Sequence, residues 1–427
     1  MIHYITTNGV GNPWVAAEME IVQKQGVPCA LCTMRSPGTH YFKSEWVRRL
    51  DAECEVLYPL PRARLIADVL AAPVRFGSRF VAALWNALTG ERESLRARVA
   101  GLAHLFVATH WAARLRRSGR EVSLVHSQWI HSCGTIGMYA AWLMGVPFSF
   151  TGHAVDLFRD RVALKDKVRR AEFIVAISSF HRDLYLSLGA DPAKITTVFC
   201  GIDVGALAFR PRAMAGETPV VLSLGRLIEK KGFEYLIDAC AMLRDRGVAV
   251  RCIIGGDGPL EGALKRRIAE KGLEGVVQLD GKAVLQEDLP RFFAQGHVFA
   301  QPCVWAADGD VDGTPRTLME AMACGNAAIS TRLVGIPDIV EDGVSGLLVE
   351  PRDASALAKA IERLVTDPAL TARFAAAGRD RMERMFQIDR CVEALVGQFR
   401  ARLRGACGEG GSVGTGAAKA APTGVPA

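Results

Sequence analysis

Twelve short apolar runs alternate with helix-period segments along nearly the whole chain, and few folds accept that rhythm. In the first half the runs are MIHYITT, PCALCTM, SLVHSQW, PFSFTGH, FIVAIS and ITTVFCG. In the second they are PVVLSLG, AVRCIIGG, VVQLDG, HVFAQPC, AAISTR and GLLVEP. Between them lie segments such as KGFEYLIDACAMLRDRG and ALAKAIERLVTD, whose apolar residues recur at helical spacing. Unbroken apolar runs suit strands buried on both faces, and their alternation with helices predicts parallel sheets covered on either side. At 427 residues the chain exceeds one core, and the polar FRPRAMAGETP at 209–219 reads as a linker. The expected class is therefore α/β, with two doubly wound domains, 1–208 and 220–386, facing a cleft. Ligands of such sheets bind beyond the C-terminal strand ends, so the cleft is the expected site. DRCVEALVGQFRARL supplies a further helix over 387–404, and the low-complexity residues 405–427 are expected to be disordered.

Charge is concentrated rather than spread. The net charge is +7, yet residues 62–120 hold 11 Arg and no Lys against Asp68, Glu91 and Glu93, or +8 in 59 residues. LIADVLAAPVRFGSRFVAALWNAL has a helical pattern with Leu, Val, Phe and Trp on one side and Arg among them. A basic amphipathic helix suits an anionic membrane surface; the other reading is a helical excursion packed on its own domain. No recognition motif accompanies the charge, so nucleic acid is not an expected partner. Of 11 cysteines only Cys29 and Cys32 form a CxxC, inside a strand-like run, and no second pair completes a zinc site. Buried thiols in a reducing cytoplasm are expected, and MIHYITTNG lacks the features of a signal peptide. CGTIGMYAAWLMGVPFSF, broken by Gly134, Gly137, Gly145 and Pro147, reads as buried helix and strand rather than a membrane span.

DGDVDGTPRTLMEAMACG at 308–325 carries the densest chemistry. As a calcium loop it places Asp308, Asp310, Asp312 and Gly313 correctly, but position 12 is Met319 and Glu320 misses it by one. As a metal-binding DxD it sits in the wrong architecture, which leaves Asp308 and Asp310 as exposed loop acids. As the mouth of a strand–loop–helix unit it makes better sense. Thr314 is a suitable N-cap and Pro315 a suitable first-turn residue, and such a helix start favours a phosphate. Glu320 then falls in an apolar helix, where a carboxylate must be ion-paired or accept hydroxyl hydrogen bonds such as those of a ribose. Upstream, Gly225, Arg226 and Lys231 in GRLIEKKG lie just past a strand, where two cations can neutralise a diphosphate. GGDGP, with Gly256 and Gly258, fails as a dinucleotide fingerprint and remains a candidate close-approach turn.

GRLIEKKGFEYLIDA, GGDGPLEGALK and DGTPRTLMEAMACGNAAISTRLVGIPDIVEDGVSGLLVEPRD together resemble the retaining glycosyltransferases of family 4. TGHAVDLF, FIVAISSFHRDLYLSLG and KITTVFCGID fit the same resemblance in order and spacing. With HSQWIHS and the arginine-rich excursion, the chain is most similar to the branch that builds exopolysaccharides such as colanic acid. The resemblance spans roughly residues 1–400 and implies the two Rossmann-like domains of a GT-B fold. It implies that Glu320 binds ribose, that Arg226 and Lys231 hold the diphosphate, and that His153 contacts the sugar. Asp312 occupies the first position of the family's paired-carboxylate motif, one methylene shorter than the usual Glu. Gly313, Thr314 and Arg316 would start the phosphate-facing helix, and Gly9 and Gly11 would meet phosphate or acceptor. Cys200 stands where Asn is usual.

The implied reaction moves a sugar with retention from a nucleotide diphosphate sugar to a lipid-linked or oligosaccharide acceptor, with no metal and no further cofactor. The implied location is cytoplasmic, peripheral on the inner membrane, and the C-terminal helix would cross back to the first domain. A sugar-nucleotide epimerase on the same fold and a non-catalytic assembly subunit are the rival readings.

Overall fold

The computed structural model describes residues 1–10, 13–36, 45–153, 157–158, 161–214 and 216–408. It contains two parallel sheets. The first joins β1 (Ile2–Asn8), β2 (Cys29–Arg35), β3 (Glu55–Val56), β4 (Leu124–Gln128), β5 (Phe148–Thr151), β6 (Phe173–Ala176) and β7 (Ile195–Thr197) in the order β3-β2-β1-β4-β5-β6-β7. The second joins β8 (Val220–Leu224), β9 (Arg251–Gly255), β10 (Val277–Leu279), β11 (Val298–Gln301), β12 (Ala327–Thr331) and β13 (Gly346–Val349) in the order β10-β9-β8-β11-β12-β13. Each sheet thus reverses direction once, between β1 and β4 and between β8 and β11, which are the switch points where doubly wound sheets bind ligands.

All twelve apolar runs contain a strand, and β4, β5, β6, β8, β11 and β12 are buried at every residue. Both-sided burial selects runs without polar alternation. The short β3, paired Cys32↔Glu55 and Thr33↔Val56, was not expected from the sequence, because two residues carry no periodic signal. Cys29 and Cys32 lie three apart in β2 and so face opposite sides of the sheet; both are free thiols. Gly134 and Gly137 lie in the buried helix Ser132–Met144, which ends at Gly145 in the left-handed conformation (φ 74°).

The basic excursion folds as four helices, Arg62–Leu70, Ala72–Phe76, Ser78–Thr89 and Leu95–Arg117. One set of faces, including Phe76, Phe80 and Leu105, enters the core of the first domain. Much of the charge is neutralised internally. Asp68 is buried and bonded by Arg117, Arg75 (2.9 Å) and His110 (2.8 Å). Burial alone would raise its pKa, but these three partners overturn that and hold the carboxyl far below its usual range. Arg92 pairs with Asp166 at 2.7 Å, and Arg114 with Glu55 at 2.7 Å. The excursion thus packs on its own domain, and a count of charges does not see which of them are paired.

The C-terminal helix Ile388–Gly408 packs on the first domain, not on the second from which it emerges. Phe399 is fully buried and meets Tyr4, His126 and Phe173 edge-on at ring-centroid distances of 5.8, 5.3 and 5.9 Å. The helix runs to Gly408, four residues past the expected end. The two chain crossings between domains are bonded to each other, Ile202 N–H to Phe386 O (2.9 Å) and Ile388 N–H to Ile202 O (3.0 Å). A separate bridge joins the domains where the Ser179 N–H and hydroxyl both donate to Asp338 at 2.7 Å.

Candidate functional site

A cavity of about 370 Å³ opens between the domains at the C-terminal strand ends. The first domain contributes Trp14, Trp129, His153, Ile177, His181 and Cys200 to its wall. The second contributes Lys230, Lys231, Val311, Asp312, Gly313, Thr314, Arg316 and Thr317. Residues more than 150 positions apart in the chain are brought together because both sheets present the same ends to one gap.

On the second domain, β8 leads through Gly225 and Arg226 into a turn at Glu229–Lys231 and then the helix Phe233–Asp245. A Cβ at Gly225 would lie 3.0 Å from Lys231 Cε, so the missing side chain makes room for the lysine to fold back over the strand end. Lys231 is buried and ion-paired with Asp312. Burial pulls the lysine pKa down, but Asp312, with Cys303 and Glu320 nearby, reverses this and keeps it raised. For Asp312 burial pushes up while Lys231 and Lys230 pull down harder, so the carboxylate stays ionised. Lys230 pairs with Asp310 at 3.0 Å, which gives that loop acid a partner instead of leaving it simply solvated.

The helix Arg316–Cys324 begins one residue later than a Thr314 cap requires. Its N-cap is Pro315, extended at φ −69°, ψ 111°, with no side-chain cap bond. Because Pro315 is itself extended rather than helical, the first helical turn starts one residue later and Thr314 stays on the cavity wall. Gly313 packs against Val334, where a Cβ would come within 2.6 Å of Cγ1. Glu320 is buried in this helix, 3.4 Å from Arg316 Nη2 and 3.3 Å from Gln286 Nε2.

The structure does not bring every candidate to the wall. Arg226 is exposed at the strand end and Glu320 lies behind the helix start; neither lines the cavity. Gly256 and Gly258 serve the backbone. A Cβ at Gly256 (φ 126°) would fall 1.9 Å from Gly225 O, and one at Gly258 (φ 153°) 2.7 Å from Leu227 N. They allow the loops after β8 and β9 to lie against each other, bonded by Leu227 N–H to Asp257 O at 2.7 Å. Gly11 lies outside the described residues; Gly9 is described and donates its N–H to Thr33 Oγ1 at 2.6 Å.

His153 is held by groups that the sequence did not announce. Trp14 and Trp129 flank it at ring-centroid distances of 4.4 and 5.5 Å. Its Nε2 lies 3.3 Å from Gln128 Oε1, Gln128 Nε2 donates to Glu18 at 2.5 Å, and Tyr4 donates to Glu18 at 3.2 Å. When Glu18 is ionised it only accepts, so in that state the glutamine amide turns its oxygen toward the imidazole and Nε2 of His153 carries the proton. Burial holds the His153 pKa well below its ordinary value, helped by His181, His131 and His126, so the ring is neutral at neutral pH. Trp129 adopts φ 76°, a left-handed conformation costly for a bulky residue, of order 1–3 kcal/mol. Its N–H donates to Thr151 O (2.9 Å) and its carbonyl accepts from Ser127 Oγ (2.7 Å), which hold it there. Cys200 is kept as a thiol, its pKa pushed up to about 12 chiefly by burial. Among the described residues, no three His, Cys, Asp or Glu side chains gather as a metal cluster would require.

Glu18 makes a testable pH prediction. Burial raises its pKa from 4.5 to about 7, against the bonds from Tyr4 and Gln128. A raised folded-state pKa gives stability that is full below pH 4.5 and is lost as pH rises through about 7. Thermal melts of Glu18→Gln and wild type should therefore diverge, the variant gaining relative to wild type between pH 5 and pH 8. An offset independent of pH would refute the assignment.

Two family models cover the chain in succession: one described as Glycosyltransferase Family 4 matches residues 22–206, and one described as Glycosyl transferases group 1 matches residues 208–381. An amylovoran biosynthesis glycosyltransferase of Erwinia amylovora is 33% identical over 240 residues, 55% of this chain and 59% of the relative. An Escherichia coli glycosyltransferase assigned to colanic acid biosynthesis is 39% identical over 203 residues, 47% of this chain and 50% of the relative. The chain thus spans about half the length of the curated relatives it matches. Among solved structures, an Anabaena protein in complex with UDP superposes with a TM-score of 0.68 at 18% identity, covering 94% of this chain and 99% of that one. Sucrose-phosphate synthase from Thermosynechococcus elongatus gives 0.65 at 19% identity, covering 95% and 99%. At such identities these likenesses show the fold, which is GT-B.

Proposed function

The chain belongs to the family 4 glycosyltransferases, and from that premise we propose that it transfers a sugar from a nucleotide diphosphate sugar to a lipid-linked or oligosaccharide acceptor in exopolysaccharide biosynthesis. The observation that carries this reading is the cavity itself, which sets the Lys231–Asp312 pair and the start of the helix Arg316–Cys324 opposite neutral, tryptophan-flanked His153. Lys231, Arg226 and the free N–H groups of that helix neutralise the departing diphosphate, and Asp312 and His153 address the donor sugar. Glu320, behind the helix start, receives the ribose hydroxyls once Arg316 shifts toward phosphate. Retention follows a front-face course in which the departing phosphate oxygen takes the acceptor proton, without a metal. Relatives named for amylovoran and colanic acid synthesis support the polysaccharide context, and the Anabaena complex with UDP supports the donor class.

Calorimetric titration with UDP-, GDP- and ADP-sugars tests the donor reading, which fails if none binds. Release of free nucleoside diphosphate only when acceptor is present separates transfer from epimerisation.

Membrane docking by the excursion is part of the proposal. No helix among the described residues is long and apolar enough to cross a membrane. Of the thirteen exposed large apolar side chains among the described residues, however, eight fall between residues 66 and 99, from Leu88 at 49% to Val74 at 93% exposed. Ile66, Leu70 and Val74 follow at four-residue steps, and Val81, Trp85 and Leu88 repeat the stripe on the helix Ser78–Thr89. Exposed Arg62 and Arg79 accompany them without a carboxylate partner among the described residues. An apolar surface with cations beside it fits the interface of an anionic leaflet. Val81→Glu with Trp85→Glu should lower retention on phosphatidylglycerol vesicles at least tenfold in flotation, and unchanged retention would exclude docking by this face.

A further inference from the structure

We propose that the first domain carries a second anion site, separate from the donor cavity, which holds a phosphate or carboxylate group of the acceptor; this rests on the transferase reading above. A cavity of about 560 Å³ lies over the C-terminal ends of β1, β2 and β4. Arg35 closes β2, Arg96 projects from the first turn of the helix Leu95–Arg117, and Arg161 enters from the opposite side. His104, one face along from Arg96, and His131, the N-cap of the helix Ser132–Met144, complete the cationic and polar wall.

The charge here is unanswered. In the donor cavity each lining cation already has a carboxylate: Lys230 with Asp310, Lys231 with Asp312, Arg316 with Glu320. Among the described residues no Asp or Glu lines the second cavity, and none pairs with Arg35, Arg96 or Arg161. Three guanidinium groups around one space match the oxygens of a phosphate or carboxylate, which they can grip in a forked geometry. His104 is half-buried and adds its ring to the wall, while its unpartnered Nδ1 is shut off from solvent and so turned away from the open space. Burial holds that imidazole down at a pKa of about 4, so it is neutral and serves as a polar contact rather than a charge. Two helix starts open on the space as well, at Ser94, whose side chain accepts from Ala97 N–H, and at Ser132.

Position links this site to the reaction. His131 lies 3.4 Å from Thr7 in the wall of the second cavity and follows Trp129, in the wall of the donor cavity, by two residues. A ligand held by the arginines would then lie on the first-domain side of the donor cavity, the side open to an incoming acceptor. The structure thus gives the acceptor an acidic group close to its reacting hydroxyl.

Titrating inorganic pyrophosphate into the full chain, with and without saturating nucleoside diphosphate, tests this. Two classes of site are expected. One is blocked by nucleoside diphosphate and weakened by Lys231→Ala. The other survives both and weakens at least tenfold in Arg35→Gln/Arg161→Gln, with a smaller loss of the same sign in Arg96→Gln. If nucleoside diphosphate abolishes all pyrophosphate binding, or the arginine changes leave the second class untouched, the proposal is overturned while the donor reading stands. If nucleoside diphosphate does not bind, the donor reading fails and the second class is judged by the arginine changes alone. Methyl phosphate and methyl glucuronide as competitors separate the sources: displacement by one identifies the acceptor's acid, and displacement by neither overturns the acceptor assignment.

Discussion

Lys231→Ala is expected to lower turnover by ~10²–10³-fold, the range seen when one preorganised donor to developing negative charge is removed. The size follows from the lysine's setting. It is buried, its charge is maintained by Asp312 against the pull of desolvation, and the alkyl chain is folded over Gly225 so that the ammonium has little freedom. In such a site the ammonium needs no reorganisation when charge builds on the leaving diphosphate, and water cannot replace it. The variant also leaves Asp312 without its main partner, so a loss of stability accompanies the kinetic loss. Lys231→Ala/Asp312→Asn separates the two. It should recover most of the melting temperature and none of the turnover. Restoration of activity in the double variant would show that Lys231 acts only by holding the loop.

Phe399→Ala should destabilise the protein by about 3–5 kcal/mol, as for other buried aromatic truncations. Phe399 is fully buried against Tyr4, His126 and Phe173, so the deletion leaves a cavity whose walls belong to β1, β4 and β6 and cannot easily collapse. The effect should be larger than the lost contacts alone suggest in one respect. The helix Ile388–Gly408 covers a face of the first sheet together with Val15, Met19 and Val22, and its loosening uncovers that whole face. Chemical denaturation followed by tryptophan fluorescence is the measurement. A loss under 1 kcal/mol would mean that the helix is not a structural part of the first domain.

The strands were legible because burial on both faces demands unbroken apolar runs, and such runs are local. The loop at 308–325 could be singled out because Asp312, Gly313 and Thr314, which line the cavity, are neighbours in sequence. His153 was legible only through the resemblance, and its supports were not legible at all. Glu18, Gln128 and Trp14 reach it through contacts spanning 25 to more than 100 positions, and nothing in the neighbourhood of each residue marks it. Thr314 misled because a good capping residue preceded a proline, which shifted the helix start. Gly256 and Gly258 misled because a glycine needed for a close approach does not say whether a ligand or the chain itself comes near. The arginines of 62–120 misled in number, since Asp68 and Glu55 answer several of them from positions that a linear count treats as single charges.

The tie between the two chain crossings sets how the molecule can move. Because Ile202 bonds to both Phe386 and Ile388, the crossings lie side by side and act as one short ribbon. A ribbon at a single edge permits bending and twisting alike, so the domains behave as jaws on one pivot and not as plates bolted at two corners. Ser179 and Asp338 provide a bridge between the jaws, two exposed bonds to a charged group that are worth at most ~1.5–3 kcal/mol each before solvent weakens them. Phe158 of the first domain, edge-on to Trp305 of the second at a ring-centroid distance of 5.1 Å, adds an apolar contact to that bridge. On the proposed function, a donor bound in the cavity would touch both jaws and act as a clasp, and its departure as nucleoside diphosphate would release the grip.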